Sequence, residues 1–568
     1  MANNINWGKI YESSYFGNTD NGISWGKIYE GIAGGSSLTQ EYLNRVLADG
    51  GVVESAECID DNINASIYIK PSGYKNGKIF AQLPKDGSAD IDFLRGSLKT
   101  KTNKEGNVVD ITEVGEELVT NGDFSDGSNG WNIVDGWNIS DERLNVNTDD
   151  GSLSITSSNY FVLGKTYKLE MDVNVDVGTI RFESGEGDNF IIGTNDTKIV
   201  HYFVARAFAL KFRRNSTTTR GWIDNVSVKE IIDETDIPPL DYSNGGCPVF
   251  NFEPSSTNLL PYSEDFSQWI KGANTVFIES NDTPKSNGTA TRVTMPTGGG
   301  TYASIPFTAL SGNTYTFSIY AKANGSNVLS IQIMTTSTSG VVESSILNLT
   351  NEFQRYSISY TATETRTLYC AVDNNGNSSE VDCIVDCAML EPLPYATSYI
   401  PNFGSASGVT RLADQPQPFG NSDLINSQEG VFYVKINALA NTNDYRSIVL
   451  SSGSISNRVS IQYWNDGSRI RTRHFANGES LSHYITPSSQ DEISEIAIVY
   501  SSTVFQVYYN QTLVTTKVPT TSMSEGVLTS VNFDDGTGSN SNRFEGDLHD
   551  LRVYKSIEEA KQDLTYIQ

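Results

Sequence analysis

The sequence predicts a mainly β protein: tandem jelly-roll β-sandwiches, a short N-terminal anchor and one short helix near residues 37–49. Three observations lead there. The composition is 38% hydrophobic, 10% aromatic and only 19% charged, with 48 glycines; rich in Tyr, Thr, Ser and Asn, it suits sandwiches joined by long polar loops. Three landmarks recur in the same order through the middle of the chain. Between them, runs such as Tyr167, Leu169, Met171, Val173 and Tyr315, Phe317, Ile319 alternate with a period of two, as half-buried strands do. A length of 568 residues allows about three to five domains.

The chain opens on a doubled peptide, residues 1–31. Ile5, Trp7, Gly8, Lys9, Ile10, Tyr11 and Glu12 return as Ile23, Trp25, Gly26, Lys27, Ile28, Tyr29 and Glu30, each 18 residues on. In an extended strand Ile5, Trp7, Lys9 and Tyr11 share one face, and Gly8 lets another backbone approach. Two such strands on a flexible spacer would engage two equivalent sites with avidity; the plainer alternative is a local hairpin. Residues 32–115 read as a small helix plus a β linker domain. Ser37 and Gln40 have capping-box spacing, Leu38, Tyr42, Leu43, Val46 and Leu47 form one apolar face, and Gly50 stops the helix.

The long repeat follows, as jelly rolls over 116–236 and 237–407. LVTNGDFS (118–125) matches LPYSEDFS (260–267) with Phe124 set on Phe266, each followed by a tryptophan, Trp131 or Trp269. GKTYKLEMDV (164–173) lies against GNTYTFSIYA (312–321), and IDNVSVKE (223–230) against VDCAMLEP (385–392), pairing Asp224 with Asp386. Units of roughly 115 and 135 residues hold an eight-stranded jelly roll. Residues 408–568 form a third β domain: Phe432, Val434 and Ile436 share a strand face, and Ser556 with Glu559 caps a closing helix.

Several classes are disfavoured. With 40 basic and 68 acidic residues the net charge is −28, so nucleic acid and anionic lipid are not expected partners. No apolar run approaches the roughly 20 residues of a membrane span, and the start lacks the pattern of a secretion signal. Five cysteines (58, 247, 370, 383, 387) do not suggest a disulfide scaffold. Cys383 and Cys387 would lie about 13 Å apart on a strand, too far to bond. Cys370 could face Cys383 across a hairpin, and buried free thiols are the favoured expectation.

NGDFSDGSNGW, followed by WIDNVSVKE, resembles the jelly-roll carbohydrate-binding modules appended to glycanases and phage adhesins. EPSSTNLLPYSEDFSQW with LEPLPYATSYIPNFGSASGVTRLAD resembles a recurring unit of tailed-phage structural proteins. Residues 426–568, with EIAIVYSSTVFQVYYNQTLV and FEGDLHDLRVYKSIEEA, look like a concanavalin A-like lectin/laminin-G sandwich. The WGKIY peptide looks like the openings of virion proteins of phages that infect Bacteroidetes.

These resemblances imply sites. Asp123 with Asp224, and Asp265 with Asp386, take the places where such modules hold a structural calcium. Calcium needs six to eight oxygens, and turn capping is the plainer role for these aspartates. Aromatic platforms for sugar rings would be Trp131, Trp137, Tyr160 and Trp222 in the first module, and Tyr463 and Trp464 in the last domain; single aromatics more often fill cores. EMDVNVD (170–176) resembles the paired carboxylates of family-16 glucanases, but Asn174 breaks the pattern. The repeat puts Ser318 and Tyr320 at equivalent positions, so no catalytic residue is assigned.

The expectation is a non-enzymatic bacteriophage virion protein, a capsid- or tail-attached fibre. Its docking residues would be Trp7, Gly8, Lys9, Tyr11, Trp25, Gly26, Lys27 and Tyr29. Synthesised in the host bacterial cytoplasm, it would stand on the virion surface as a homotrimer, holding glycan-binding lobes toward host or mucus, with no nucleic acid bound and no membrane insertion. Alternatives are a secreted modular polysaccharide-degrading enzyme and a purely architectural coat or collar protein.

Overall fold

The computed structural model describes residues 37–568 apart from 111–112, 135, 149–153, 158–159, 184–189, 194–197, 217, 233–234, 244, 286–287, 299–300, 375–379, 440–443 and 540. The doubled peptide and all eight of its docking candidates lie outside the described residues. Thr112–Glu234 form one compact unit; Ser36–Ile111 together with Thr235–Gln568 form another. No helix among the described residues is long and apolar enough to cross a membrane.

The first unit is a sandwich of two antiparallel sheets. One runs Trp137–Ser140, Arg143–Thr148, Thr219–Ile232, Thr166–Val177, Lys198–Val204; the other runs Phe190–Ile192, Ile180–Glu183, Lys211–Arg214, Ser154–Ser157, Trp131–Asn132. The second jelly roll repeats this order strand for strand. Val276–Ser280, Ala290–Met295, Val381–Glu391, Thr314–Ala323 and Gln354–Thr361 form its first sheet. Val341–Asn348, Val328–Met334, Arg366–Asp373, Tyr302–Ala309 and Ile270–Lys271 form its second.

The landmarks recur because each does the same physical work twice. Phe124 packs on Trp131 at 5.2 Å between ring centroids, and Phe266 on Trp269 at 4.8 Å. Each indole donates to a nearby carbonyl at 3.1 Å, of Asn121 and of Tyr262, so a large apolar ring is buried with its polar group satisfied. Tyr167 and Tyr315 each accept, through the hydroxyl, the backbone N–H five residues earlier (Val162, 2.8 Å; Leu310, 2.9 Å). At the third landmark both sandwiches carry a β-bulge. Asn225 (φ 50°) and Cys387 (φ 51°) adopt left-handed backbone, and the carboxylates of Asp224 and Asp386 accept their N–H groups at 2.7 and 2.8 Å.

The C-terminal sandwich recruits distant chain. One sheet runs Thr512–Lys517, Phe505–Tyr509, Ser494–Ser501, Glu429–Ala438, Gly546–Tyr554. The edge of Gly546–Tyr554 is then filled by two short strands end to end: Ile67–Ile69 opposite 551–553, and Val249–Phe252 opposite 546–548. An edge that would invite a foreign strand is thereby closed. Ile67, Ile69, Phe250 and Phe252 share one core with Phe432, Val434, Ile436 and Leu551. A disulfide, Cys58–Cys247, joins the two recruited segments across 189 residues.

This arrangement departs from the sequence reading, which set residues 32–115 apart, began the last sandwich at 408 and expected free thiols throughout. Three-residue strands carry too little periodicity to show where they pair, and so distant a cysteine pair leaves no local signal. Cys370, Cys383 and Cys387 are free and buried; Cys370 and Cys383 lie in opposite sheets of their sandwich rather than across a hairpin.

The far face of that C-terminal sheet is covered. Leu38, Tyr42 and Val46 of the helix Leu38–Ala48, with Ala560 of the helix Ile557–Asp563, bury Val431, Tyr433, Ala497 and Val499. Ser556 and Glu559 complete the expected capping box; Ser37 caps Gln40 N, while the Gln40 side chain turns to Asn44.

The stretches EPSSTN and TRLAD tie the second jelly roll to this sandwich through buried charge. Arg95 and Lys99 hold Asp414 at 2.9 and 2.8 Å; Lys99 also holds Glu253 at 2.8 Å, and Arg411 pairs with Glu253. All five side chains are at most 3% exposed. Ser398 donates to Glu253 through N–H and hydroxyl at 2.7 and 2.6 Å. Such a network is stable only when every member is partnered. It gives a structural reason for the polar words of this motif.

Candidate functional site

With one sheet of the C-terminal sandwich roofed by helices, the outer face of the other presents the functional side chains. That sheet runs Glu479–Ile485, Ile470–Ala476, Arg458–Tyr463, Arg446–Ser451, Ser530–Asn532. Alternation sends Ile470, Val459, Ile461, Tyr463, Ile448 and Leu450 into the core and their neighbours outward. Register then fixes three rows on the side away from the core: Tyr484–Arg471–Gln462–Ser447, Ser482–Arg473–Ser460–Val449–Asn532, and Ser480–Phe475–Arg458–Ser451–Ser530. Gln462, Ser447, Ser460, Val449, Asn532 and Ser451 are themselves buried, so the accessible part of the rows is the Arg471, Arg473 and Arg458 side with Tyr484, Ser482 and Ser480. Each row carries one arginine.

At one end of these rows is an aromatic cluster. Trp464 meets Tyr445 edge-on at 5.1 Å and Tyr484 at 5.7 Å. The guanidinium carbons of Arg469 and Arg471 stand 4.7 and 5.2 Å from the Trp464 ring centre, and Arg469 is 5.0 Å from that of Tyr484. Trp464 is half-buried and Tyr484 is 43% exposed, so the cluster is open to a ligand. Hydrogen bonds hold the floor: Arg471 Nη2 donates to Gln462 at 2.7 Å, Gln462 to Ser447 at 3.0 Å, and Arg473 Nε to Ser480 at 2.8 Å. Arg471 and Arg473, half-buried above that floor, can donate to a polyhydroxylated ring that stacks on the neighbouring aromatic rings.

Residues 431–562 match the family model of the concanavalin A-like lectin/glucanases superfamily. The match is confined to the C-terminal sandwich. No curated protein matches the chain. Among solved structures, similarities include the tandem CBM22-1–CBM22-2 domain of Paenibacillus barcinonensis Xyn10C, at 10% identity, 50% of this chain, 99% of that chain and TM-score 0.19. The CBM40 of the Ruminococcus gnavus IT-sialidase matches at 10%, 27%, 94% and 0.22, and the Caenorhabditis elegans galectin LEC-6 at 9%, 24%, 86% and 0.18. At these scores they carry no argument about what this chain binds.

Of the six aromatics singled out in the sequence, the structure removes three from contention as ligand platforms. Trp131 and Trp137 are 6% and 4% exposed in the first core, and Tyr463 is 1% exposed beneath the lectin-like face. They bury area, which is what rings beside strand signals mostly do. Tyr160 is half-buried, its hydroxyl accepting Thr120 N at 3.2 Å. Trp222 stands on an outer sheet face in a row with Asn138, Asn145 and Asn174; the Arg143 guanidinium covers one side at 4.2 Å. Trp464 and Trp222 are thus the ring platforms the structure keeps. The alternation in IRTRHFA, which puts Arg471 and Arg473 on one face, was the signal in the sequence for the arginine rows.

The calcium pairs meet different surroundings. Asp265 caps a short turn, accepting from Ser267 N at 3.0 Å. Asp386 is fully buried, 3.4 Å from the Lys285 ammonium and bonded to Thr283 at 2.9 Å. Lys285 also pairs with Glu264. Burial lifts the Asp386 carboxyl above the usual carboxylate range even with Lys285 beside it. A fixed ammonium stands where the second calcium was expected, and these residues do not fit that ion. In the first sandwich Asp123 accepts from Ser125, and Asp224 lies 3.5 Å from Arg143. Among the described residues, no group of three or more His, Cys, Asp or Glu side chains is placed to hold a metal ion.

Proposed function

We infer that this chain is a non-catalytic display protein whose lectin-like sandwich binds glycans on the face built around Trp464. The observation that carries the reading is the open cluster of Trp464, Tyr445 and Tyr484 beside a hydrogen-bonded row of polar side chains. Support comes from the family match over 431–562 and from Trp222 on the outer face of the first jelly roll. A glycan array probed with the whole chain tests it. Binding that falls at least about tenfold in Trp464→Ala supports the reading. Unchanged binding in Trp464→Ala and Trp222→Ala together removes both platforms, and hydrolysis of array glycans revives the enzyme alternative.

The setting we infer is a phage particle, with residues 1–31 docking the chain and the sandwiches held outward as a trimer. The resemblance of WGKIY to openings of virion proteins supports it, as does the tailed-phage vocabulary around 253–267 and 391–414. Deleting residues 1–31 is expected to release the protein from particles; retention would remove the anchor.

A further inference from the structure

The lectin-like face carries charge of the opposite sign to its protein. In a chain of net charge −28, Arg458, Arg469, Arg471 and Arg473 gather on one face and its adjoining hairpin. None of the four makes an ion pair among the described residues. The acids that bear on them electrostatically are occupied: Asp466 accepts from Ser468 N and Oγ at 2.9 and 2.6 Å, and Asp535 from Thr537 N and Oγ at 3.0 and 2.6 Å.

Resting on the glycan-binding reading above, we propose that this face takes an acidic polysaccharide, its carboxylate or sulfate groups against Arg471, Arg473 and Arg458 and one sugar ring against Trp464 and Tyr484. The three arginines stand in successive rows, at sheet positions about 7 Å apart along a strand and about 7–8 Å on the diagonal, an array that suits a polymer with repeated charges better than a single anion. Arg473 uses Nε on Ser480 and its guanidinium carbon lies 4.4 Å from the Phe475 ring centre; both Nη groups have no hydrogen-bond partner among the described residues, leaving the planar fork that grips carboxylate or sulfate through two hydrogen bonds. Burial first, and the neighbouring Arg458 and Arg471 after it, push the Arg473 pKa down to about 10, so repulsion between like charges adds to the cost of burying this one. A bound anion relieves that repulsion; a neutral sugar leaves it in place.

Titration of the whole chain with polygalacturonate, carboxyl-reduced polygalacturonate, dextran sulfate, neutral dextran and single-stranded DNA tests the proposal. Polygalacturonate or dextran sulfate is expected to bind at least about tenfold tighter than its neutral counterpart, weakening as salt is raised; which one binds identifies carboxylate or sulfate. Arg473→Gln should weaken that binding about tenfold, while Arg366→Gln, on the second jelly roll, should not. If Arg473→Gln does not fold, Arg473→Lys keeps the charge, loses the fork and is expected to weaken binding as well; undiminished binding in the folded variant overturns the proposal. Equal binding of charged and neutral polymers overturns it and leaves the glycan reading standing. Binding of no polymer removes both, and preference for DNA overturns it in favour of a nucleic-acid partner.

Discussion

Asn225 and Cys387 occupy one and the same place in two successive sandwiches: each follows an aspartate that accepts its backbone N–H, and each has φ near +50°. The bulge re-aims the strand so that the next residue docks the Asp-Phe segment: Val226 N donates to Gly122 O at 2.9 Å and Ala388 N to Ser263 O at 2.8 Å. Landmarks one and three are therefore a single device, and the paired aspartates are its hinge pins.

At Asn225 the backbone demand can be separated from the side chain's bond to Asp172 (2.8 Å). Both Asn225→Gly and Asn225→Ala lose that bond, but only alanine meets the left-handed penalty. Thermal unfolding should place the alanine variant roughly 1–2 kcal/mol below the glycine variant. Equal stabilities would mean that the bulge relaxes.

The Cys58–Cys247 disulfide closes a very long loop, and its removal should cost about 2–4 kcal/mol. Calorimetry of Cys247→Ser should show a lowered transition for the unit holding the lectin-like sandwich, with that of Thr112–Glu234 unmoved. A shift in both transitions would contradict the division into two units.

Buried charge makes the second unit sensitive to acid. Glu253 is held well below the ordinary carboxylate range by Arg411 and Lys99, and Asp414 is lowered by Lys99 and Arg95, in each case against the effect of burial. Folded-state values below the unfolded ones give stability that is complete above about pH 5 and declines as pH falls through and below the ordinary carboxylate range. Asp414→Asn, which takes from Arg95 its carboxylate partner and leaves Lys99 with the Glu253 carboxylate alone, is expected to cost about 3–5 kcal/mol at pH 7 and to flatten the acid limb measured by chemical denaturation. An unchanged limb would assign acid sensitivity elsewhere.

Two tryptophans should behave as opposites. Trp131→Ala empties core volume and should destabilise its unit by about 3–5 kcal/mol. Trp464→Ala removes a half-buried surface ring and should cost less, about 1–2 kcal/mol, while weakening glycan retention on affinity gels at least about tenfold. A stable Trp131→Ala, or an unfolded Trp464→Ala, would reverse the assignment.

The repeat was legible because Phe124 and Phe266 are each followed within a few residues by a tryptophan, Trp131 and Trp269, and because Tyr167 and Tyr315 each sit in a long alternating run. The capped helices were legible from Ser37 and Ser556. Ile67–Ile69 and Val249–Phe252 were not: their partners lie about 480 and 300 residues away, and nothing in IYI or VFNF names them. Trp131, Trp137 and Tyr463 misled because a ring looks alike in sequence whether it fills a core or faces outward; only register told Trp464 from its neighbour. The arginine rows were present as alternation in IRTRHFA, a pattern usually read for its apolar half.

The paired edge of Gly546–Tyr554 also sets an order of events. Ile67–Ile69 and Val249–Phe252 emerge from the ribosome hundreds of residues before the strand they flank, so they wait, unmated, until translation is almost complete. The pieces of the lectin-like sheet made earliest are among the last to find their places, and a chain cut short before residue 546 leaves both without a home.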